Sequence, residues 1–344
     1  MRRVFLALVS LTVACRGPAS REGETCGRSA DCEAGLRCLE QLCVSPGGGP
    51  SWRSADGLLA LDCPAGAILD GAAPPDGTRI QCLRRGLPEG PALEWTADGR
   101  PFRRSEWRGG RLQGIVLTWH PNGRLSSESR WADGLEHGLT RRWYEDGTRE
   151  SEVEVWAGML HGRATWWSLS GALESSGTWR YSQLHGTWTT WYEMGGKKES
   201  EGEWRAGQQH GRLAWWYPSG ARWNEGFYRN GQLHGTLTTW YENGQMESFG
   251  EWSNHQQHGA LRTWYPGGGR ESEGTYRNGQ LHGTLTTWYE SGQKESEGTW
   301  RKGLQHGRQA GWYENGLLWY DTEYRNGQPA TDGNLSGDPG LRIL

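Results

Sequence analysis

Residues 278–301 read NGQLHGTLTTWYESGQKESEGTWR, and this stretch decides the fold because the chain repeats it with a period of 24 residues. Its His-Gly dipeptide recurs, with one spacing of 25 residues, at His137, His161, His185, His210, His234, His258, His282 and His306. Glu89-Gly90 and Gln113-Gly114 extend the same frame towards the N-terminus. Self-similarity at a fixed period of this length is typical of repeat architectures, so the sequence predicts about ten copies of one small unit.

Two columns of this alignment do not vary. A Gly stands ten residues after every frame position, and a Trp stands six residues after it, at Trp95, Trp119, Trp143, Trp167, Trp191, Trp216, Trp240, Trp264, Trp288 and Trp312. A second aromatic column, from Trp107 to Tyr324, lies six residues before the frame position. The chain has 23 Trp but only 4 Phe. Because one indole buries roughly 150–250 Å², we predict that the invariant Trp column forms the repeat core.

Two Gly-centred turns divide each period into two segments of strand length. One turn is Asn-Gly in three copies, which suits positive φ, and the other is Glu-Asn-Gly or Glu-Ser-Gly. In the first segment, Glu295 and Glu297 alternate with Gly298 and Trp300, so the Gly leaves room for an indole on its own face. The sequence thus predicts an all-β protein, an elongated single-layer antiparallel β-meander of hairpins with Trp packed across its small-residue face.

The N-terminus has the anatomy of a signal peptide over residues 1–14, with Arg2 and Arg3 before an apolar run from Val4 to Ala14. This run is shorter than the roughly 20 residues that a transmembrane helix needs. Residues 12–15 (TVAC) resemble the lipobox of bacterial lipoproteins. The resemblance implies lipidation of Cys15, a tether over residues 15–25, and export to the periplasm or cell surface on a lipid anchor; ordinary secretion is the alternative.

The cysteine count agrees with export, because lipidation of Cys15 leaves six of the seven cysteines to pair. Residues 26–43 are predicted to form a disulfide-rich segment through Cys26, Cys32, Cys38 and Cys43. Of the three connectivities we favour Cys26–Cys38 with Cys32–Cys43. Zinc is the rival reading, but zinc sites usually bring their cysteines in closer C-x2-4-C pairs. Cys63 and Cys82 form the third predicted bridge.

Three further segments follow from composition and the repeat frame. Residues 44–57 are rich in Pro, Gly and Ser and are predicted to be a flexible linker. Residues 58–330 form the predicted repeat domain, and residues 331–344 the C-terminal tail.

The consensus G-x-x-H-G-x-x-x-x-W-Y-x-x-G resembles the bacterial variant of the MORN repeat, which is found in YwqK-like antitoxin-repeat proteins. The resemblance covers about residues 58–330. It implies a meander in which each hairpin packs only on its neighbours, and it suggests an antitoxin role. Export departs from the pattern of an intracellular antitoxin, so only an immunity protein of the envelope would fit.

Two sets of residues, the frame His residues and four additional Trp residues, could form a site or serve a structural role. Successive frame His residues lie two strands apart, about 9–10 Å, whereas zinc binds each nitrogen at about 2.0–2.1 Å. We therefore expect these imidazoles to bond to turn backbone, and we expect neither a metal nor another cofactor. Four Trp depart from the consensus and are candidate binding residues, against an alternative role in packing: Trp166, Trp188, Trp215 and Trp223.

No catalytic residues are predicted. The repeated Glu pairs lie on a flat strand face, whereas glycosidase carboxylates need unlike environments and a cleft, and no nucleophile elbow or phosphate-binding loop is present. A net charge of −3 does not indicate a nucleic-acid partner. The interpretation is a non-enzymatic envelope lipoprotein that acts as a scaffold for an unknown protein or envelope partner. Neutralisation of a toxin, or binding of glycan or peptidoglycan through exposed Trp, are the alternatives.

Overall fold

The computed structural model describes residues 59–330, together with the backbone of three short strands before residue 59. The chain divides into two units, residues 1–171 and 172–344. All regular structure in the described part is β. Among the described residues, no helix has the length and hydropathy of a membrane span. The predictions for the signal peptide, for Cys15 and its tether, and for the tail after residue 330 fall outside the described residues.

The first unit begins with two short strand pairs. Strand β1 (Arg37–Leu39) pairs with β2 (Leu42–Val44), and β3 (Ser51–Arg53) pairs with β4 (Ala60–Asp62). Strand β3 lies inside the segment that the sequence predicts as a linker. The side chains of Cys26, Cys32, Cys38 and Cys43 fall outside the described residues, and their pairing stays a prediction.

The rest of the first unit is an antiparallel meander. Each long strand pairs with the next long strand along the chain, and the short strands β9 and β12 pair only with the strand before them. The strands are β5 (Ile68–Ala72), β6 (Arg79–Arg84), β7 (Leu87–Trp95), β8 (Pro101–Arg108), β9 (Arg111–Leu112), β10 (Gly114–Trp119), β11 (Leu125–Ala132), β12 (Leu135–Glu136), β13 (Gly138–Trp143), β14 (Arg149–Trp156) and β15 (Met159–Trp167).

The second unit repeats the same hairpin more regularly, with strands of eight and nine residues in alternation until the last short strand. Each strand again pairs antiparallel with the next. The strands are β16 (Leu173–Arg180), β17 (Gln183–Trp191), β18 (Lys198–Arg205), β19 (Gln208–Trp216), β20 (Arg222–Arg229), β21 (Gln232–Trp240), β22 (Met246–Ser253), β23 (Gln256–Trp264), β24 (Arg270–Arg277), β25 (Gln280–Trp288), β26 (Lys294–Arg301), β27 (Leu304–Trp312), β28 (Leu318–Arg325) and β29 (Gln328–Pro329). The predicted all-β antiparallel hairpin meander is confirmed.

Both predicted turns are present in each regular hairpin. A two-residue turn joins β20 to β21, with φ of 50° at Asn230 and 77° at Gly231, as a type I′ turn requires. A five-residue turn joins β21 to β22. There the Tyr241 N–H donates to the Gln245 carbonyl and the Gly244 N–H to the Tyr241 carbonyl, each at 2.9 Å.

The frame dipeptide forms a β-bulge inside the second strand, whereas sequence reasoning placed it beside a turn. In β21 the register shifts between the pairs Gly226↔Leu237 and Tyr228↔Leu233, around Gly235. Gly235 has a φ of 110°, and a Cβ on it would lie 3.3 Å from the Phe227 Cβ. Only Gly accepts this conformation readily, which explains why the Gly of the frame does not vary.

The two faces of the second unit differ in composition. The glycine face carries Gly202, Gly226, Gly250, Gly274 and Gly298. A Cβ on Gly226 would lie 3.1 Å from the Cδ1 atoms of Leu233 and Leu237 and 3.3 Å from Tyr228 Cε2. As predicted, the Gly leaves room for the second aromatic column, and it also accommodates leucines of the facing strand.

The opposite, charged face carries the invariant Trp column. Leu237 and Thr239 share the glycine face, so Trp240, one residue further, points the other way. The Arg222 guanidinium lies 5.3 Å from the Trp240 ring centroid and 2.9 Å from Glu225. The expectation that this Trp packs across the small-residue face is therefore corrected. Because side chains alternate along the strand, the Trp240 ring lies on the charged face, beside Arg222 and Glu225.

The most deeply buried cluster lies at the start of the first meander. A disulfide joins Cys63 to Cys82, the predicted third bridge, with a Cα–Cα distance of 5.4 Å. It is buried together with Leu61, Leu93 and Trp95. This cluster positions the first strands of the repeat body.

Candidate functional site

The predicted core Trp residues are half-buried rather than enclosed. Trp95 is buried in the disulfide cluster, whereas the nine later members, from Trp119 to Trp312, keep part of their surface in solvent. Five of them lie under the cation of a Lys or Arg, 5.2–5.6 Å from the ring centroid. A one-layer sheet covers only one side of each ring. The stacked Lys and Arg side chains therefore cover part of the other side.

The four candidate binding Trp residues fall into two groups. Trp166, Trp188 and Trp215 are half-buried, and their register partners Ser151, Gly202 and Ser200 place them among small residues. Trp188 takes the place of the leucine over the Gly column and meets the Trp179 ring edge-on at 5.9 Å. Trp223 alone is exposed, at 45%. Trp223 is therefore the best placed of the four to meet a ligand.

A row of tyrosines ties consecutive hairpins together at the five-residue turns. Each hydroxyl donates to the carbonyl of the invariant Trp in the next repeat, at 2.7–3.0 Å. The donors are Tyr144, Tyr192, Tyr217, Tyr241, Tyr265 and Tyr289. In the degenerate early copy, His120 Nε2 bonds the Trp143 carbonyl in the same way, at 2.7 Å. We call this row of strand ends in the second unit, from Tyr192 to Trp319, the tyrosine border.

The opposite strand ends are joined by main-chain bonds from the type I′ turns. The Gly231 N–H donates to the Gln209 carbonyl of the preceding repeat at 2.9 Å, and eight other turns do likewise. In three repeats the frame side chain accepts from the first residue of the next turn: Glu89 from Gly109, Gln113 from Asp133 and His258 from Asn278. The predicted imidazole-to-turn bond thus exists at His258, but it reaches the following hairpin.

On the charged face, the carboxylates that stand fifteen residues after the frame are paired with cations. Arg212 and Arg222 bond Glu225 at 2.7 and 2.9 Å, Arg262 and Arg270 bond Glu273 at 2.8 and 3.0 Å, and Lys294 bonds Glu297 at 2.6 Å. The hydrogen bond from Arg212 holds the pKa of Glu225 below its usual value. This face carries alternating charges that neutralise one another.

Carboxylates on the tyrosine border have no such partners. Glu247, Glu271 and Glu295 stand thirteen residues after the frame, and no basic group pairs with them in the described part of the chain. Burial raises the pKa of Tyr241 above its usual 10.0, and Glu247 and Glu271 raise it further. Tyr265 is affected in the same way, by burial first and then by Glu271 and Glu295. The border is therefore a region of uncompensated negative charge.

Two tryptophans replace Glu in this column, one at each end of the three-carboxylate run. Trp223 and Trp319 are 45% and 64% exposed. Each meets the border tyrosine of its own hairpin, with Tyr217–Trp223 and Tyr313–Trp319 both at 6.0 Å between centroids and tilted by 43° and 40°. Sequence reasoning singled out Trp223 but missed Trp319, the tyrosines and the unpaired glutamates. The alignment does contain a signal, because Trp223 and Trp319 share one column.

Two depressions were found on the sheet faces, and neither is an enclosed cleft. One trough of about 310 Å³ in the first unit includes Thr118, Trp131 and Arg142, and one of about 380 Å³ in the second includes Thr286, Trp288 and Glu297. Among the residues that the structure describes, no group of three His, Cys, Asp or Glu side chains is arranged to hold a metal ion.

Comparison with known families matches segments of the second unit. The family model described as the MORN repeat variant matches residues 233–248 and 281–302. The family model described as the MORN repeat matches residues 201–212, 249–260, 273–284 and 297–308. No curated protein matches the chain. The matched segments contain the type I′ turn or the frame bulge with its following strand, and over these residues the chain is similar to MORN repeats.

Proposed function

We propose that this protein is a non-enzymatic interaction scaffold that binds a protein or another envelope component along its repeat body. The observation that carries this proposal is the tyrosine border, where unpaired carboxylates recur in register on consecutive hairpins between two exposed tryptophans. MORN-family repeats are generally interaction repeats, which is compatible with such a role. The partner is recognised by a surface rather than enclosed in a pocket.

The scaffold is proposed to act outside the cytoplasm on a lipid anchor. The signal-peptide anatomy of residues 1–14 and the odd cysteine count support export. The buried Cys63–Cys82 disulfide is compatible with an oxidising compartment. An immunity-type role would fit only if the toxin acts in the envelope.

The anchor is tested by Cys15→Ser. We expect the wild-type protein in the membrane fraction with a lipidated Cys15, and the variant in the soluble fraction. Fractionation with mass spectrometry of the N-terminal peptide measures both. A soluble wild-type protein with an unmodified Cys15 would disprove anchoring.

The scaffold function is tested by cross-linking and pull-down from envelope extract, beside a glycan array. A specific protein partner that is captured by the wild type supports the scaffold. Glycan binding that disappears when Trp166, Trp188, Trp215 and Trp223 are changed to Ala would instead favour the glycan reading, for which the exposed Trp223 is the supporting observation.

A further inference from the structure

We propose that the tyrosine border binds an extended basic polypeptide segment, with a Lys or Arg at every third residue and an apolar side chain at each end. This inference rests on the proposed scaffold function and names the chemistry of its partner. The binding surface is the run Trp223, Glu247, Glu271, Glu295 and Trp319. All five residues occupy one column of the repeat in the second unit.

Charge selects a cationic partner. On the charged face of the same hairpins, Glu225, Glu273 and Glu297 all have a cation within 3.0 Å. On the border, Glu247, Glu271 and Glu295 have none among the described residues, and the turn residues Glu242, Glu290 and Glu314 add negative charge beside them. Covering unpaired carboxylates with a neutral sugar would remove their hydration without compensation, whereas a lysine or arginine supplies the missing ion pair.

Spacing selects an extended chain. Consecutive repeats are two strands apart, so their carboxylates lie about 9.6 Å from one another. Three residues of an extended polyproline II segment advance about 9.3 Å and complete one turn, so every third side chain points to the same side. A segment that crosses the strands along the border can therefore present one cation per repeat without bending. The two exposed tryptophans are four repeats apart, about 38 Å, which thirteen extended residues span.

The ends of the run select apolar anchors. Trp223 and Trp319 each expose a ring that leans on a tyrosine fixed in its own hairpin, with the same geometry at both ends. A rigid, partly exposed indole is the kind of group on which an apolar or aromatic side chain packs at interfaces. A second copy of this chain offers a poorer match. Its basic side chains Arg229, Arg277, Arg301 and Arg325 flank type I′ turns made of Gly and polar residues, and of the four residues that follow these turns only Leu304 is apolar.

The probe is a fluorescent thirteen-residue peptide with Leu at positions 1 and 13, Lys at positions 4, 7 and 10, and Ser or Thr elsewhere. The control peptide has the same composition with its three Lys at positions 6, 7 and 8. Binding to the full chain is measured by fluorescence anisotropy at low and high salt. We expect the spaced peptide to bind at least fivefold more tightly than the control peptide, and both to weaken as salt screens the charges.

Two variants separate register from net charge. Glu247→Gln/Glu271→Gln/Glu295→Gln should weaken binding about tenfold, since three exposed ion pairs of modest strength are lost. Glu242→Gln/Glu290→Gln/Glu314→Gln removes the same charge from the neighbouring turn tips and should change binding by less than about threefold. Equal losses in the two variants, equal binding of the two peptides, or no binding to the wild type would overturn the proposal.

A third variant tests the rings. Trp223→Glu/Trp319→Glu restores the residue that six other repeats carry at this column, so it should fold. It adds two negative charges and removes both anchors. Weaker peptide binding supports the proposal, and equal or tighter binding contradicts it. Salt-sensitive self-association in analytical ultracentrifugation that the triple Glu247/Glu271/Glu295 variant abolishes would assign the border to a second copy instead.

The outcome also separates this inference from the scaffold function. A partner that wild type and the triple Glu247/Glu271/Glu295 variant capture equally, without peptide binding, would leave the scaffold standing and overturn the peptide assignment. Register-dependent peptide binding without any captured partner would support the inference and count against the wider role.

Discussion

Tyr241 shows how one side chain links two repeats. Its hydroxyl crosses to the next hairpin and donates to the Trp264 carbonyl at 2.8 Å. The invariant Trp thus contributes its main chain to the border and its ring to the opposite face. The W-Y dipeptide of the repeat is therefore a connection between neighbours as well as a pair of apolar groups.

Removing this hydroxyl should weaken the sheet slightly. Tyr241→Phe is expected to lower the free energy of unfolding by about 0.5–1.5 kcal/mol, because one intramolecular hydrogen bond is lost. Denaturant unfolding measures the change. Tyr313→Phe is the matched control, since the Tyr313 hydroxyl makes no hydrogen bond within the described residues. Equal losses of unfolding free energy at both positions would show that the Tyr241–Trp264 hydrogen bond does not stabilise the sheet.

The tyrosines also predict a dependence of stability on alkaline pH. Burial, and then nearby glutamates, raise the pKa of Tyr217, Tyr241 and Tyr265 above the usual 10.0. A folded-state pKa above the unfolded one means that the neutral form is favoured in the folded protein. This contribution is complete below pH 10 and disappears as pH rises through the folded-state pKa. The triple Tyr→Phe variant should lose less stability than wild type between pH 9 and 11.5 in urea unfolding. An equal loss would contradict the assignment.

At the scale of the element, the frame bulge requires a glycine in the second strand of each hairpin. Gly235→Ala should destabilise the second unit by about 1–3 kcal/mol, because its φ of 110° is strained for any L side chain and Phe227 lies opposite. Gly267→Ala is the control. Gly267 has no positive φ, and a Cβ there would meet only Glu290 Oε1 at 3.9 Å. An equal decrease in the unfolding temperature of both variants would show that strain at the bulge is not the cause.

The hairpins of the second unit also alternate in pairs. Arg212, Arg262 and Arg308 occur in every second repeat and bond the acid of the following strand, whereas the intervening repeats carry Thr at or near the same place, as in Thr238 and Thr286. On the charged face, repeats with an Arg at this place therefore alternate with repeats that carry a Thr there.

At the scale of the whole molecule, stability is distributed unevenly. Cys63→Ser/Cys82→Ser should destabilise the start of the first unit by about 3 kcal/mol, the usual effect of opening a loop of this size, where the bridge spans 19 residues. Hydrogen exchange should show lost protection near residues 60–95. Repeats contact mainly their neighbours, so exchange in the regular hairpins after residue 198 should stay unchanged. Uniform loss of protection would contradict a local role.

The sequence by itself determined the repeat frame, the two turns, the hairpin and the Cys63–Cys82 bridge. The turns and the hairpin depend on local rules, because Asn-Gly and the Gly columns encode positive φ in the residues themselves, whereas the bridge was predicted from the cysteine count. Only the tertiary structure decided which side of the sheet each column occupies and which charges are neutralised. Glu271 and Glu273 lie two residues apart in one strand, yet Arg262 and Arg270 reach Glu273, and no cation reaches Glu271 among the described residues. The Arg262–Glu273 pair depends on strand register, which places two residues 11 positions apart opposite each other, and the Tyr241–Trp264 bond joins residues 23 positions apart in consecutive repeats.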